Sequence, residues 1–168
     1  FVSRGASVKV NNIATFGEVN GYITVNGGKA TGIAKLDGQL IINGAKATAA
    51  ITNVVESSVI GILEENGVLP KVTIDNVVGL GDETSTPTIT VFVMDETGYA
   101  DLSSGTTVLY SKNDIADNVK ILNTTSDGEE LTAYYYPKTK EIKAENGSAL
   151  VLYKGVEKDK ELVGSYKN

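Results

Sequence analysis

The side chains here that could do chemistry are mostly carboxylates. Asp82-Glu83, Asp95-Glu96 with Asp101, and Asp114 with Asp117 form three acidic clusters. Carboxylates gathered from loops suit Ca²⁺, which takes roughly 6–8 oxygen ligands. Asp82, Glu83, Asp95, Glu96 and Asp101 are therefore the candidate ligands of a structural Ca²⁺, but solvated loops account for them first, and no cofactor is expected. None of the clusters has the spacing of an EF-hand loop. Paired acids also serve glycoside hydrolysis, where two carboxyls stand about 5–10 Å apart. Such sites usually add aromatic sugar platforms, but this chain has no Trp and only 7% aromatic residues.

The absences exclude more. With no His and no Cys there is no Ser–His–Asp triad and no Cys–His pair. Structural zinc sites, Cys-bound iron–sulfur clusters and His- or Cys-ligated haem are excluded on the same ground. Gly27-Gly28 and Gly79-Leu80-Gly81 lack the Gly-Lys-Ser/Thr ending of a phosphate loop. The chain is not expected to be an enzyme.

Two further features bear on binding. Tyr134-Tyr135-Tyr136-Pro137 would place Tyr134 and Tyr136 on one strand face, where exposed rings stack on sugars. Sequons at Asn123 and Asn146 match chance frequency and carry no weight.

Net charge is −6, with a single Arg, Arg4, so neither nucleic acid nor an anionic membrane is an expected partner. The charge is uneven. Residues 1–50 sum to +3, residues 51–117 to −9, and residues 118–168 to zero. A basic N-terminal third beside an acidic middle suits head-to-tail self-association. No apolar run reaches the ~18 residues of a membrane-spanning helix. The chain opens on Phe1 with no signal peptide in this sequence, as either a processed chain or a fragment would, and the expected location is extracellular or at the cell surface.

The elements that must position these groups read as strands. Asn-Gly or Asp-Gly stands at 20–21, 26–27, 37–38, 43–44, 66–67, 127–128 and 146–147. These pairs favour tight reversals and so predict antiparallel hairpins. Between them, runs rich in Val, Ile, Thr and Tyr predict strands at 6–16, 21–25, 29–36, 39–43, 45–55, 71–78, 87–95, 106–110, 118–122, 130–136, 140–145, 148–154 and 161–166. Ser111 and Asp114 have capping-box spacing for one helical turn through Asn118. The i, i+4 spacing of Ile51, Val55, Val59 and Leu63 also fits a helix, but β-branched content favours a strand at 45–55 and leaves 57–65 open.

The expected fold is all-β. It is an antiparallel β-sandwich, immunoglobulin-like or jelly-roll-like, with at most one or two short helices. One domain spans 1–168, with a weak candidate boundary at 66–70 and no repeat between the two halves.

The N-terminal segment carries the functional expectation. Val8, Val10, Asn12, Ala14 and Phe16 alternate with Lys9, Asn11, Ile13 and Thr15. Such a strand at a chain end can complete a neighbour's sheet, with Val8, Val10, Ala14 and Phe16 filling the groove. The expected protein is a secreted structural subunit. It polymerises with itself into a filament, pilus or surface layer by exchange of residues 1–16. The alternative is a monomeric adhesion module that binds glycans and is stabilised by Ca²⁺.

Overall fold

A computed structural model describes residues 1–81, 85–96, 98, 99, 102, 105–122 and 130–145. Among the described residues fourteen strands follow one another. They are β1 (Ser7–Val10), β2 (Ile13–Val19), β3 (Tyr22–Asn26), β4 (Lys29–Leu36), β5 (Gln39–Asn43), β6 (Thr48–Val55) and β7 (Val59–Leu63), then β8 (Lys71–Val78), β9 (Ile89–Asp95), β10 (Gly98–Tyr99), β11 (Thr106–Tyr110), β12 (Val119–Leu122), β13 (Glu130–Tyr136) and β14 (Glu141–Glu145). A single 3₁₀ turn at Ala116–Asn118 is the one helical element among the described residues.

The chain is nearly all-β, but it is not an antiparallel two-sheet sandwich. One mixed sheet runs β1-β3-β5-β7-β9-β12-β13-β14-β11-β8-β6-β4-β2, and β10 pairs with β9 beside this path. The path starts at β1 and ends at β2, so the sheet bends into a flattened, nearly closed barrel. Its first wall holds β1, β3, β5, β7, β9 and β12 in parallel. Its second wall holds β2, β4, β6, β8 and β11 in parallel. Antiparallel β13 and β14 join the walls along one narrow edge. Along the other narrow edge no described strand joins β1 to β2, and a seam lies between them.

The hairpin expectation failed for a physical reason. The Asn-Gly and Asp-Gly pairs at 20–21, 26–27, 37–38 and 43–44 do reverse the chain, but each of these reversals carries it to the opposite wall. A strand then pairs with the strand one full turn of the winding later. Asn26 pairs with Asn43, seventeen residues on. A tight antiparallel reversal forms at Asn66-Gly67, where both φ values are positive (51° and 79°) and Glu65 bridges Val68. The sheet runs unbroken across 66–70, since β6 pairs with β8 and β7 with β9.

A local repeat underlies the winding. Gly21–Thr31 and Gly38–Thr48 share Gly, Asn-Gly and Lys-Ala-Thr at equal spacing. Beyond the Asn-Gly turn the register slips by two, and Lys29 pairs with Thr48 rather than Lys46. A slip of two keeps every side chain on its face. The repeat lies within the first half, so comparing the two halves could not reveal it.

Stacking in register builds aliphatic columns in the core. Val10, Val25, Ile42, Ile62 and Val93 form one column of the first wall. Ile33, Ile51 and Ile74 form one in the second wall. All are buried and belong to one cluster. β-branched side chains suit such pleated, covered surfaces. In the second wall the inward residues step by three, from Ile33 to Leu36, Ile51 to Val54 and Ile74 to Val77. That step breaks the alternation and turns two adjacent residues outward in each strand.

The stretch 47–65 is two strands, β6 and β7. The helical turn expected at 111–118 shrinks to Ala116–Asn118, whose N-cap is Ile115; just before it, Asp114 Oδ1 accepts from the Ala116 N–H at 3.1 Å. The strands expected at 148–154 and 161–166, and both sequons, lie outside the described residues.

Candidate functional site

The expected strand 6–16 is two strands. The chain turns at Asn11-Asn12, so Val8 and Val10 stand in β1 of the first wall, and Ala14 and Phe16 in β2 of the second. All four face inward. Val8 pairs with buried Ile23, Val10 with Val25, Ala14 with Ala30 and Phe16 with Ile33. Val10 is buried, Ala14 and Phe16 are partly covered, and Val8 is 37% exposed. These residues form the last layer of the core, at the seam. Phe1 and Ile13 are exposed beside them.

Backbone groups at the seam follow from the ladder. The Tyr22 N–H donates to the Ala6 carbonyl at 2.9 Å. In a parallel pair, alternate residues turn both polar groups to the same neighbour, so Ser7 and Lys9 direct theirs away from β3. On the second wall, Val2 covers one end of β2. Its N–H donates to the Glu18 carbonyl at 2.9 Å, and its carbonyl accepts from the Asn20 N–H at 2.7 Å. Among the described residues, none covers Ile13–Gly17 in this way. Sequence reasoning found the four apolar residues through their alternation. It missed the turn that splits them, because Asn11-Asn12 keeps the same period.

Charges around the seam are mixed. Arg4 and Lys9 are exposed. Glu18 Oε1 lies 3.6 Å from Lys35 Nζ and accepts from Asn20 Nδ2 at 3.2 Å. Glu18 and Lys35 occupy the outward corner of the second wall. Asn53 and Asn76 continue that column at the same position.

Of the candidate Ca²⁺ ligands, Asp82, Glu83 and Asp101 lie outside the described residues. Asp95 and Glu96 line a shallow hollow of about 270 Å³ with Glu64 and Asn66. Among the described residues no three carboxylates gather closely enough to hold a metal ion.

Tyr134, Tyr135 and Tyr136 are all buried, so they offer no exposed sugar platform. The Tyr135 hydroxyl lies 3.1 Å from the Ser111 carbonyl and 2.9 Å from that of Lys112. The Tyr136 hydroxyl donates to Glu145 at 2.8 Å, and Lys143 Nζ stands 4.8 Å from the Tyr136 ring centre. Tyr135 joins the core cluster with Leu131 and Ala133, while Tyr134 and Tyr136 are buried on the opposite face of β13, outside that cluster. Nearby, burial pushes the Glu141 carboxyl upward. Hydrogen bonds from the Thr107 and Thr139 hydroxyls and the charge of Lys143 outweigh it, leaving the carboxyl below its usual range.

No family model matches the chain, and no curated protein or solved structure resembles it significantly.

Proposed function

We propose that this protein is an extracellular structural subunit of a filament, pilus or surface layer, joining its neighbours by strand addition at the seam. One observation carries the reading. The two ends of the sheet path, β1 and β2, meet at one place and flank half-covered apolar side chains. Unpaired edges bind other chains through backbone hydrogen bonds, and the side chains beneath them supply the groove. Natural sheets usually blunt such edges, so an edge kept over an apolar layer suits a docking function.

Residues 6–16 pair with β3 and β4 of their own barrel. The mechanism is therefore edge addition, and no strand has to leave its core.

Negative-stain microscopy and light scattering of the full chain test this across concentration. Regular oligomers, fibres or sheets are expected, weakened by Val8→Lys. A monodisperse monomer under every condition would overturn the reading. That result would favour the adhesion module, with the hollow of Glu64, Asn66, Asp95 and Glu96 as its first candidate site.

A further inference from the structure

We propose that the seam closes against the seam of a second copy, the two related by a two-fold axis that lays β1 antiparallel to the partner's β1. This rests on the self-assembling reading above and names its first contact.

The two edges set the requirement. β1 and β2 stand in opposite walls and run in opposite directions, because the chain reverses at Asn11-Asn12. Packed sheets lie about 10 Å apart. A partner must therefore offer two strand edges at that separation with opposed directions. Among the described residues, the ends of the sheet path supply such a pair at the seam alone. A two-fold axis perpendicular to the walls sets each edge antiparallel to its own mate, the isologous solution.

Sterics agree. Val2 covers only the Glu18–Asn20 end of β2. The two-fold puts the covered ends of the two copies at opposite ends of the row, so they do not collide. The contact would bury Val8, Ile13 and Phe16 and satisfy the outward groups of Ser7 and Lys9.

Area gives the expected strength. Strands of four and seven residues on walls about 10 Å apart, with the side chains outside them, give a face of roughly 20 by 20 Å, so the contact buries roughly 800 Å² in total. That is below the usual size of a specific interface and predicts a weak dimer. An isologous contact closes on itself, so growth beyond a dimer would use a second surface.

Charge gives the sign of the salt dependence. Glu18 at the seam is matched by Lys35, which leaves exposed Arg4 and Lys9 in excess, so pairing the seam with itself is opposed at low salt and strengthened as salt screens the repulsion. Docking of the seam on the acidic hollow would weaken with salt.

The natural chain has no cysteine, so single cysteines report directly. Lys9→Cys and Lys120→Cys are made in the full chain. Lys120 is exposed on β12, on the outer face of the same wall but beside β13, away from the seam. Each variant is treated with a short bismaleimide at low and high salt, beside light scattering of the unmodified protein. The expected result is a dimer favoured by salt, with Lys9→Cys linking to itself and Lys120→Cys not. Lys9→Pro, which removes an outward N–H, should weaken the dimer about tenfold with an unchanged circular dichroism spectrum. If oligomers form but Lys9→Cys links only in mixtures with Lys120→Cys, the stacking is head-to-tail and the two-fold falls while self-assembly stands. A monomer throughout overturns both.

Discussion

The side-chain amide of Asn113 donates to Oδ1 of Asn76 at 2.9 Å, and Asn76 in turn donates to Oδ1 of Asn53 at 3.2 Å. Three turns of the winding are thus tied by an amide ladder on the outside of the second wall. The ladder sits where inward residues step by three, so it braces the bend in each strand. Asn76→Ala removes both links and should cost about 1–2 kcal/mol in urea denaturation. Asn113→Ala should cost less, because its other bond, to the Asp75 carbonyl, is exposed.

Core depth should grade the cost of truncation. Ile42→Ala empties the middle of a buried column and should cost about 2–5 kcal/mol. Val8→Ala, at the half-exposed end of the core, should cost well under half of that in dilute protein. Equal losses at the two sites would mean that Val8 is covered in solution.

Glycine substitutions should separate by position. In the winding, Gly38 lies against the Gly21 carbonyl, which accepts from the Gln39 N–H at 3.0 Å. A Cβ at Gly38 would run into that carbonyl oxygen. Gly38→Ala should therefore destabilise by about 1–3 kcal/mol through forced backbone movement. Gly17 has open space where its Cβ would stand. Gly17→Ala should leave the denaturation midpoint unchanged or slightly raised. Thermal melts of the two variants side by side check the contrast.

Acid should reveal Glu141. Its carboxyl is held below the ordinary value of 4.5 in the folded chain, so its charged form favours folding. That contribution is complete above pH 4.5 and is lost as pH falls through the lower, folded-state value. Glu141→Gln should lower stability at neutral pH and flatten its fall at acid pH. Parallel curves for the two proteins would refute the assignment.

Tyr135→Phe should cost about 1–1.5 kcal/mol. Its hydroxyl is the side-chain link from β13 to the Ser111 and Lys112 carbonyls. Urea titration of the variant measures it.

Much of this was legible in residue order. The runs 29–36, 39–43, 71–78, 106–110 and 130–136 are strands at the expected bounds. Their alternation reports which side chains face the core. It does not report which strand lies alongside, and there the sandwich expectation went wrong. Asn26-Gly27 dictates a reversal equally well in a hairpin and in a winding. The choice rests on contacts such as Val25 with Ile42, which local pattern does not encode. The seam was half legible. The apolar period through Val8 and Phe16 marked it, while its division between two walls depends on a turn of unremarkable composition. The tyrosine run misled because both faces of β13 are covered, which buries Tyr134 and Tyr136 on one and Tyr135 on the other, and strand pattern alone cannot show that.

Successive turns of the winding lengthen. Asn26 pairs seventeen residues on, Asn53 pairs with Asn76 twenty-three on, and Val59 with Thr90 thirty-one on. Throughout, neighbouring strands keep their backbone bonds. The surplus residues collect at the corners, so the corners and the walls obey different rules of inheritance. A segment gained at a corner such as Leu80-Gly81 leaves every ladder bond in place, whereas one residue gained inside a wall inverts a whole row of side chains. A lineage built on this plan could diversify its outline freely at the turns while its interior stayed frozen.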